Sequence, residues 1–168
     1  MRMPKPDFMS QKSDLFRLGS PNICSNTKRK MTFNSNKPIL LLEDDLVDVM
    51  TFKRAVKDLA VKNELIVKGN GVEGLAFLED AREIPCMILL DLNMPRMNGL
   101  EFLEEIKKHP RFMHIPVIIL TTSKEQTDRM QSFQLSVAGY MVKPVNYQDF
   151  INMLNTIHQY WSLSEYPE

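Results

Sequence analysis

The stretch that decides the fold, "ILLDLNMPRMNGLEFL", runs from Ile88 to Leu103. Its first residues form a short apolar run that passes directly into Asp91, and such a run between turn residues is typical of a buried strand. Asn98 and Glu101 stand three residues apart at the start of a helical pattern, the spacing of a capping box. The stretch therefore predicts a strand, a turn and a helix over 98–108, with a carboxylate where the strand ends.

The same alternation of strand and helix repeats along the chain. The predicted strands cover 39–42, 64–68, 87–90, 117–120 and 138–142. The predicted helices cover 46–60, 72–78, 98–108, a segment that Ser123 caps and that runs to about Gln134, and a segment that Asn146 caps. Parallel strands need helical crossovers and are buried on both faces, so this pattern predicts an α/β protein with a parallel sheet. Ligands of such sheets bind beyond the carboxyl ends of the strands.

The bulk composition excludes several classes of protein. Of the 168 residues, 43% are hydrophobic and 25% charged, and 21 basic residues balance 21 acidic ones. This zero net charge gives no support to nucleic-acid binding. The apolar runs are too short to cross a bilayer, and the first residues lack the apolar core of a signal peptide. The two cysteines form no disulfide framework, which indicates a reducing compartment. Together with the net charge and the short apolar runs, this predicts a cytoplasmic protein that contacts neither membrane nor nucleic acid.

The chain divides unevenly. Residues 1–36 contain scattered Pro, Ser and Asn without periodicity and are predicted to be a flexible extension, with Met31 an alternative to Met1 as the translation start. Residues 37–161 form the predicted domain, and 162–168 form a tail too short for a DNA-binding output domain.

Polar residues follow four of the five predicted strands at the point where each ends. They are Glu43, Asp44, Asp45, Asp91, Thr121 and Lys143. Because these ends share one edge of a parallel sheet, the carboxylates would crowd together and repel one another. A hard divalent cation with oxygen ligands relieves that repulsion, and Mg²⁺ is the ordinary choice. The backbone carbonyl of Asn93 would face the same cation.

Four stretches carry a family resemblance: "ILLLEDD", "ILLDLNMPRMNGLEFL", "VIILTTS" and "AGYMVKP". In this order and spacing, the chain from Pro38 to about Tyr160 resembles the receiver domain of two-component response regulators. The segments "FKRAV", "IPVIILTTS" and "IHQYWSLSEYP" look most like stand-alone receivers, including those that serve phytochrome-type kinases. The resemblance implies a CheY-like, flavodoxin-like fold: a doubly wound three-layer α/β/α sandwich whose five parallel strands follow the order 2-1-3-4-5.

The family's functional residues transfer to positions of this sequence. The resemblance implies that Asp91 receives a phosphoryl group from a sensor histidine kinase in a Mg²⁺-dependent reaction. The implied metal-binding residues are Glu43, Asp44, Asp91 and Asn93. The implied phosphoryl-binding and switch residues are Thr121, Lys143 and Tyr140, and those that tune dephosphorylation are Asn93 and Ser123. Glu43 and Asp44 match the family's acidic pair, and Asp45 falls one residue beyond it.

The resemblance also implies how the protein acts. It would turn over no separate substrate, and its output would be contact with a downstream protein or phosphotransfer partner. We expect the fourth helix to have few apolar residues on its outer face, where Lys124, Asp128 and Arg129 mix charges. Such a face, with exposed aromatic residues of the fifth helix, suits a homodimer through the fourth helix, fifth strand and fifth helix.

Other readings remain at this stage. Asp91 alone could be a turn aspartate, and Asp45 could simply favour a helix N-terminus. A phosphatase with an aspartate nucleophile would place that nucleophile after the first strand. A flavodoxin-like cofactor binder would place a Gly, Ser and Thr phosphate cradle there. A receiver that serves only as a protein-binding module would not need the intact acidic site.

Overall fold

The computed structural model describes residues 36–164, which form one five-stranded parallel sheet with five helices. The strands are β1 (Ile39–Leu42), β2 (Leu65–Lys68), β3 (Met87–Leu90), β4 (Val117–Thr121) and β5 (Gly139–Val142). The helices are α1 (Leu46–Asp58), α2 (Gly71–Asp80), α3 (Gly99–Lys108), α4 (Gln126–Gln134) and α5 (Tyr147–Ser162). The strand order is β2-β1-β3-β4-β5, which confirms the predicted fold class.

Side chains of the central strands alternate between two apolar cores, one on each face of the sheet. In β1, Leu40 and Leu42 contribute to the core that α2 and α3 cover, whereas Ile39 and Leu41 contribute to the core that α1 and α5 cover. β1, β3 and β4 are buried throughout, and the edge strands β2 and β5 are half-buried. The rigid centre of the sheet therefore carries the residues that follow β1, β3 and β4.

Helix α3 begins with the predicted capping box. The Asn98 side chain accepts the N–H of Glu101, and the Glu101 carboxylate accepts the N–H of Asn98. The next residue, Gly99, donates its N–H to the Leu92 carbonyl at 3.0 Å. A Cβ at Gly99 would lie 2.3 Å from the backbone oxygen of Asp91. The helix thus begins in direct contact with the loop that follows β3, and this contact requires glycine.

The start of α4 contradicts the sequence prediction. Ser123 is not its cap: the helix begins at Gln126, Glu125 occupies the N-cap position, and within the described residues no side chain caps it. The Ser123 hydroxyl instead donates to Asp128 Oδ2 at 2.7 Å, which fixes the loop before the helix. The expectation of few apolar residues on the outer face is also wrong, because Met130 and Phe133 are each more than half exposed.

The remaining boundaries lie close to those predicted. α1 ends at Asp58 rather than residue 60, because Ala60 adopts a left-handed conformation with φ of 52°. α5 continues through Ser162, one residue past the predicted end of the domain. The predicted flexible extension, apart from its last residue, lies outside the described residues, and so does the end of the predicted tail. Across residues 36–164, no helix combines the length and the apolar character that crossing a membrane requires.

Candidate functional site

Strand pairing brings the predicted site residues to one edge of the sheet. Leu42 of β1 lies opposite Leu90 of β3, and the N–H of Asp91 donates to the Leu42 carbonyl at 3.0 Å. At the other side of the sheet, the N–H of Lys143 donates to the Thr121 carbonyl at 2.9 Å. The residues that end neighbouring strands are therefore held in register by the backbone.

Three carboxylates form a cluster at this edge. One oxygen each from Glu43, Asp44 and Asp91 lies within 4.8 Å of the other two. Glu43 and Asp91 are 3% and 5% exposed, whereas Asp44 is exposed, so the cluster opens to solvent on one side. Asp91 Oδ1 is buried and accepts no hydrogen bond from any residue that the structure describes. An all-oxygen donor set with a buried, under-coordinated oxygen fits a hard divalent cation.

Asp45 does not belong to this cluster. Its Oδ1 accepts the N–H groups of Val47 and Asp48 at 2.7 and 3.2 Å, and it thereby caps α1. The structure therefore separates the three acids at the end of β1 into two that can hold a cation and one that caps a helix.

Lys143 crosses the sheet edge and contacts three carboxylates. Its Nζ lies 2.5 Å from Glu43 Oε2, 2.7 Å from Asp48 Oδ2 and 3.3 Å from Asp91 Oδ1. Burial opposes the charged ammonium, but the hydrogen bonds to Asp48 and Glu43 and the charge of Asp91 outweigh that effect and raise the pKa of Lys143. Lys143 is thus a permanent cation held against the carboxylates.

The same surroundings affect the neighbouring acid. Burial raises the pKa of Glu43 to about 7, against the hydrogen bond and charge of Lys143, and the charge of Asp91 adds to the increase. Without a bound cation, Glu43 is therefore only partly ionised near neutral pH. A bound divalent cation would favour its ionised form.

The sequence analysis missed Asp48, which supplies one of the two shortest contacts of Lys143. Asp48 lies in the first turn of α1, four residues after Asp44. Asp44 precedes the helix that Asp45 caps, so the helical spacing of four residues does not relate the two acids and gave no signal for Asp48.

The predicted switch residues form a second group beside the acids. Thr121 is fully buried, and its Oγ1 accepts the N–H of Ser123 at 3.2 Å. The Tyr140 hydroxyl donates to the Ser123 carbonyl at 3.2 Å, and the Arg129 guanidinium lies 5.7 Å from the Tyr140 ring centroid. Burial raises the pKa of Tyr140, so its hydroxyl stays protonated and can donate the hydrogen bond. A continuous chain of contacts thus leads from Thr121 through Ser123 to Tyr140 on β5.

Asn93 lies two residues beyond Asp91 and contacts it through the backbone. Its N–H donates to Asp91 Oδ2 at 2.9 Å, while its side chain is exposed. The loop after β3 therefore orients one oxygen of Asp91 and leaves the other for a ligand.

Comparison with known proteins agrees with this arrangement. Residues 39–155 match the family model of the response regulator receiver domain. The chain is 38% identical over 138 residues to Response regulator Rcp1 of Synechocystis sp.. This alignment covers 78% of this chain and 94% of Rcp1. A solved structure of Rcp1 in a Mn²⁺-bound form has a TM-score of 0.71 at 35% identity and covers 79% of this chain and 99% of that chain.

Two further solved structures carry a similar fold. The phosphorylated cyanobacterial phytochrome response regulator RcpA has a TM-score of 0.75 at 32% identity and covers 80% of this chain and all of that chain. The receiver domain of the sensor histidine kinase PA1611 from Pseudomonas aeruginosa, solved with a magnesium ion in its active-site cleft, has a TM-score of 0.63 at 25% identity and covers 77% of this chain and all of that chain. The chain belongs to the response regulator receiver domain family of two-component signalling.

Proposed function

We propose that the protein is a phosphoacceptor response regulator in which Asp91 receives a phosphoryl group from a phosphohistidine of a sensor histidine kinase. The observation that carries this proposal is the buried Asp91 carboxylate, which lies with Glu43 and Asp44 and beside Lys143. A carboxylate oxygen of Asp91 forms a bond to phosphorus as the phosphorus–nitrogen bond breaks. The imidazole leaves with that electron pair, and the product is an acyl phosphate on Asp91.

Magnesium is the proposed cofactor. Glu43, Asp44 and Asp91, with the backbone carbonyl of Asn93, would hold the ion. When bound, Mg²⁺ neutralises negative charge on the phosphoryl oxygens. The magnesium seen in the PA1611 receiver and the manganese seen in Rcp1 support this proposal, because those proteins share the receiver fold.

The remaining residues of the site stabilise and report the phosphorylated state. Lys143 donates to a phosphoryl oxygen as a point charge. The Thr121 hydroxyl donates to another, which changes its contact with Ser123. Tyr140 passes this change to the surface of α4, β5 and α5, and its hydrogen bond to the Ser123 carbonyl provides the physical link. Asn93 and Ser123, next to these groups, tune the rate of dephosphorylation.

The proposed partners follow from this surface and from the relatives. The name of RcpA, a cyanobacterial phytochrome response regulator, supports a phytochrome-type kinase as the phosphoryl donor. The protein acts in the cytoplasm by contact with a downstream protein or phosphotransfer partner, without contact to nucleic acid or membrane and without turnover of a separate substrate. Exposed Met130 and Phe133 beside Arg129 support a homodimer through α4, β5 and α5.

The decisive experiment replaces the phosphoacceptor. Asp91→Asn keeps the shape of the side chain but removes the nucleophilic carboxylate, so phosphoryl incorporation from acetyl phosphate with Mg²⁺ should vanish. Asp149→Asn, an exposed acid in the first turn of α5, is the matched control and should incorporate phosphate as the wild type does. Incorporation by Asp91→Asn at the wild-type rate would refute the assignment, and turnover of a small phosphate ester would favour a phosphatase instead.

A further inference from the structure

Lys143 is shared between two parts of the fold. Its contact with Glu43 joins it to the end of β1, and its contact with Asp48 joins it to the first turn of α1. Both contacts have hydrogen-bond geometry, whereas the 3.3 Å contact with Asp91 Oδ1 does not. An ammonium has three protons to donate, and two of them are directed away from the phosphoacceptor.

The two hydrogen-bonded carboxylates differ in their access to water. The Glu43 side chain is 2% exposed and the Asp48 side chain is 36% exposed. Loss of the ammonium would leave Glu43 as a buried unpaired charge, which is costly, but water can solvate Asp48 in its place. Of the two bonds, the one to Asp48 is therefore the easier to exchange.

From these contacts we propose that Asp48 is a positioning residue that holds Lys143 in a resting position and competes with the phosphoryl group for it. The inference rests on the proposed function, because the competitor is a phosphoryl group on Asp91. Glu43 and Asp91 end adjacent paired strands, so Lys143 can approach Asp91 and keep its bond to Glu43. The same movement breaks the bond to Asp48 on α1. Asp48 thus opposes the phosphorylated state and limits how tightly the site binds a phosphoryl group.

The test uses beryllofluoride, an analogue of the phosphoryl group, at saturating Mg²⁺. Asp48→Asn keeps the size of the side chain but removes its charge, so Lys143 becomes available to the ligand. The beryllofluoride concentration at half-saturation, measured by fluorine NMR, should fall on the order of fivefold. This factor is the upper range for a partly exposed ion pair. In the same variant, the affinity for Mg²⁺ alone, measured by calorimetry, should decrease, because the freed ammonium competes with the metal for Glu43 and Asp91.

Two variants separate positioning from other effects. Asp45→Asn removes one negative charge three residues before Asp48, at the start of the same helix. Asn remains a good helix cap. It should leave beryllofluoride binding within twofold of the wild type, since the Asp45 side chain accepts only α1 backbone N–H groups in the contacts described. The substitution keeps the backbone N–H that Asp45 donates to Glu43 Oε1. Asp48→Glu keeps a carboxylate within reach of Lys143. The beryllofluoride concentration at half-saturation should therefore return toward the wild-type value.

The outcomes are distinguishable. A purely structural role of Asp48 would lower the melting temperature and weaken both ligands, which would overturn the inference. An equal change in Asp45→Asn would overturn it by showing a general charge effect. If the wild type binds beryllofluoride and Asp48→Asn binds it equally, this inference alone is refuted. If the wild type binds no beryllofluoride with Mg²⁺, the proposed function fails and this inference fails with it.

Discussion

Gly99 offers the sharpest test of how the fold supports the phosphoacceptor. In Gly99→Ala, the new methyl group would stand 2.3 Å from the Asp91 carbonyl oxygen and 2.8 Å from Leu92 Cα. Both are backbone atoms, so no rotamer change can relieve the clash. Either the start of α3 or the loop after β3 must move. The hydrogen bond from the Gly99 N–H to the Leu92 carbonyl ties these two segments together and resists that movement.

The expected destabilisation can be worked from these contacts. Overpacking against a rigid neighbour costs about 3 kcal/mol, the upper part of the usual range. Replacement of glycine restricts the unfolded chain and returns up to about 1 kcal/mol. The free energy of unfolding should therefore fall by about 2 kcal/mol, which for a chain of this length lowers the melting temperature by roughly 6 °C.

Thermal unfolding followed by circular dichroism measures the effect. Gly139→Ala is the matched control, because its methyl group would meet Ile118 Cγ2 at an ordinary 3.7 Å. The control should melt within about 2 °C of the wild type, as expected for a substitution without strain. A Gly99→Ala protein as stable as the control would refute the argument that close backbone contact at Asp91 requires glycine.

Three further predictions concern the metal, the thiol and assembly. Asp44→Ala should abolish most Mg²⁺ binding in a calorimetric titration, whereas Asp45→Ala should retain it and lose about 1 kcal/mol of stability with its helix cap; equal loss of binding in both would contradict the assignment. Burial raises the pKa of Cys86 to about 11, so little thiolate is present at pH 8. In a Cys24→Ser protein, Ellman's reagent should therefore react with Cys86 only after unfolding. Immediate reaction of the folded protein would contradict this prediction. Sedimentation should show a weak dimer that beryllofluoride and Mg²⁺ strengthen; a monomer in both states at high concentration would exclude the dimer.

Local patterns were sufficient for most of the secondary structure. Short apolar runs marked the central strands, and alternation marked the strand at 64–68. Cap residues marked the starts of α3 and α5, because capping bonds span only a few residues. Ser123 shows the limit of this reasoning. A serine before a helical pattern is a good cap, but here the hydroxyl donates to Asp128, and the helix starts two residues later than a Ser123 cap would place it.

The candidate site was predicted as a set of residues rather than as a geometry. The acids after β1 and β3 and the lysine after β5 were recognisable because parallel strands end at one edge of the sheet. The choice between Asp44 and Asp45 came from the family resemblance, and the structure supplies the reason, since Asp45 accepts two N–H groups of α1.

The sequence by itself determined the alternation of strands and helices, the chemistry at the strand ends and the family, because these depend on local periodicity and on the order of short motifs. Only the tertiary structure decided which groups meet. Lys143 contacts Glu43 and Asp48 across 100 and 95 residues of chain, and no local pattern encodes such a pairing. The raised pKa of Glu43 and the half-burial of the edge strands likewise depend on atoms from distant segments. Burial and electrostatic contact are properties of the assembled sheet edge, and they exist only once the five strands have paired.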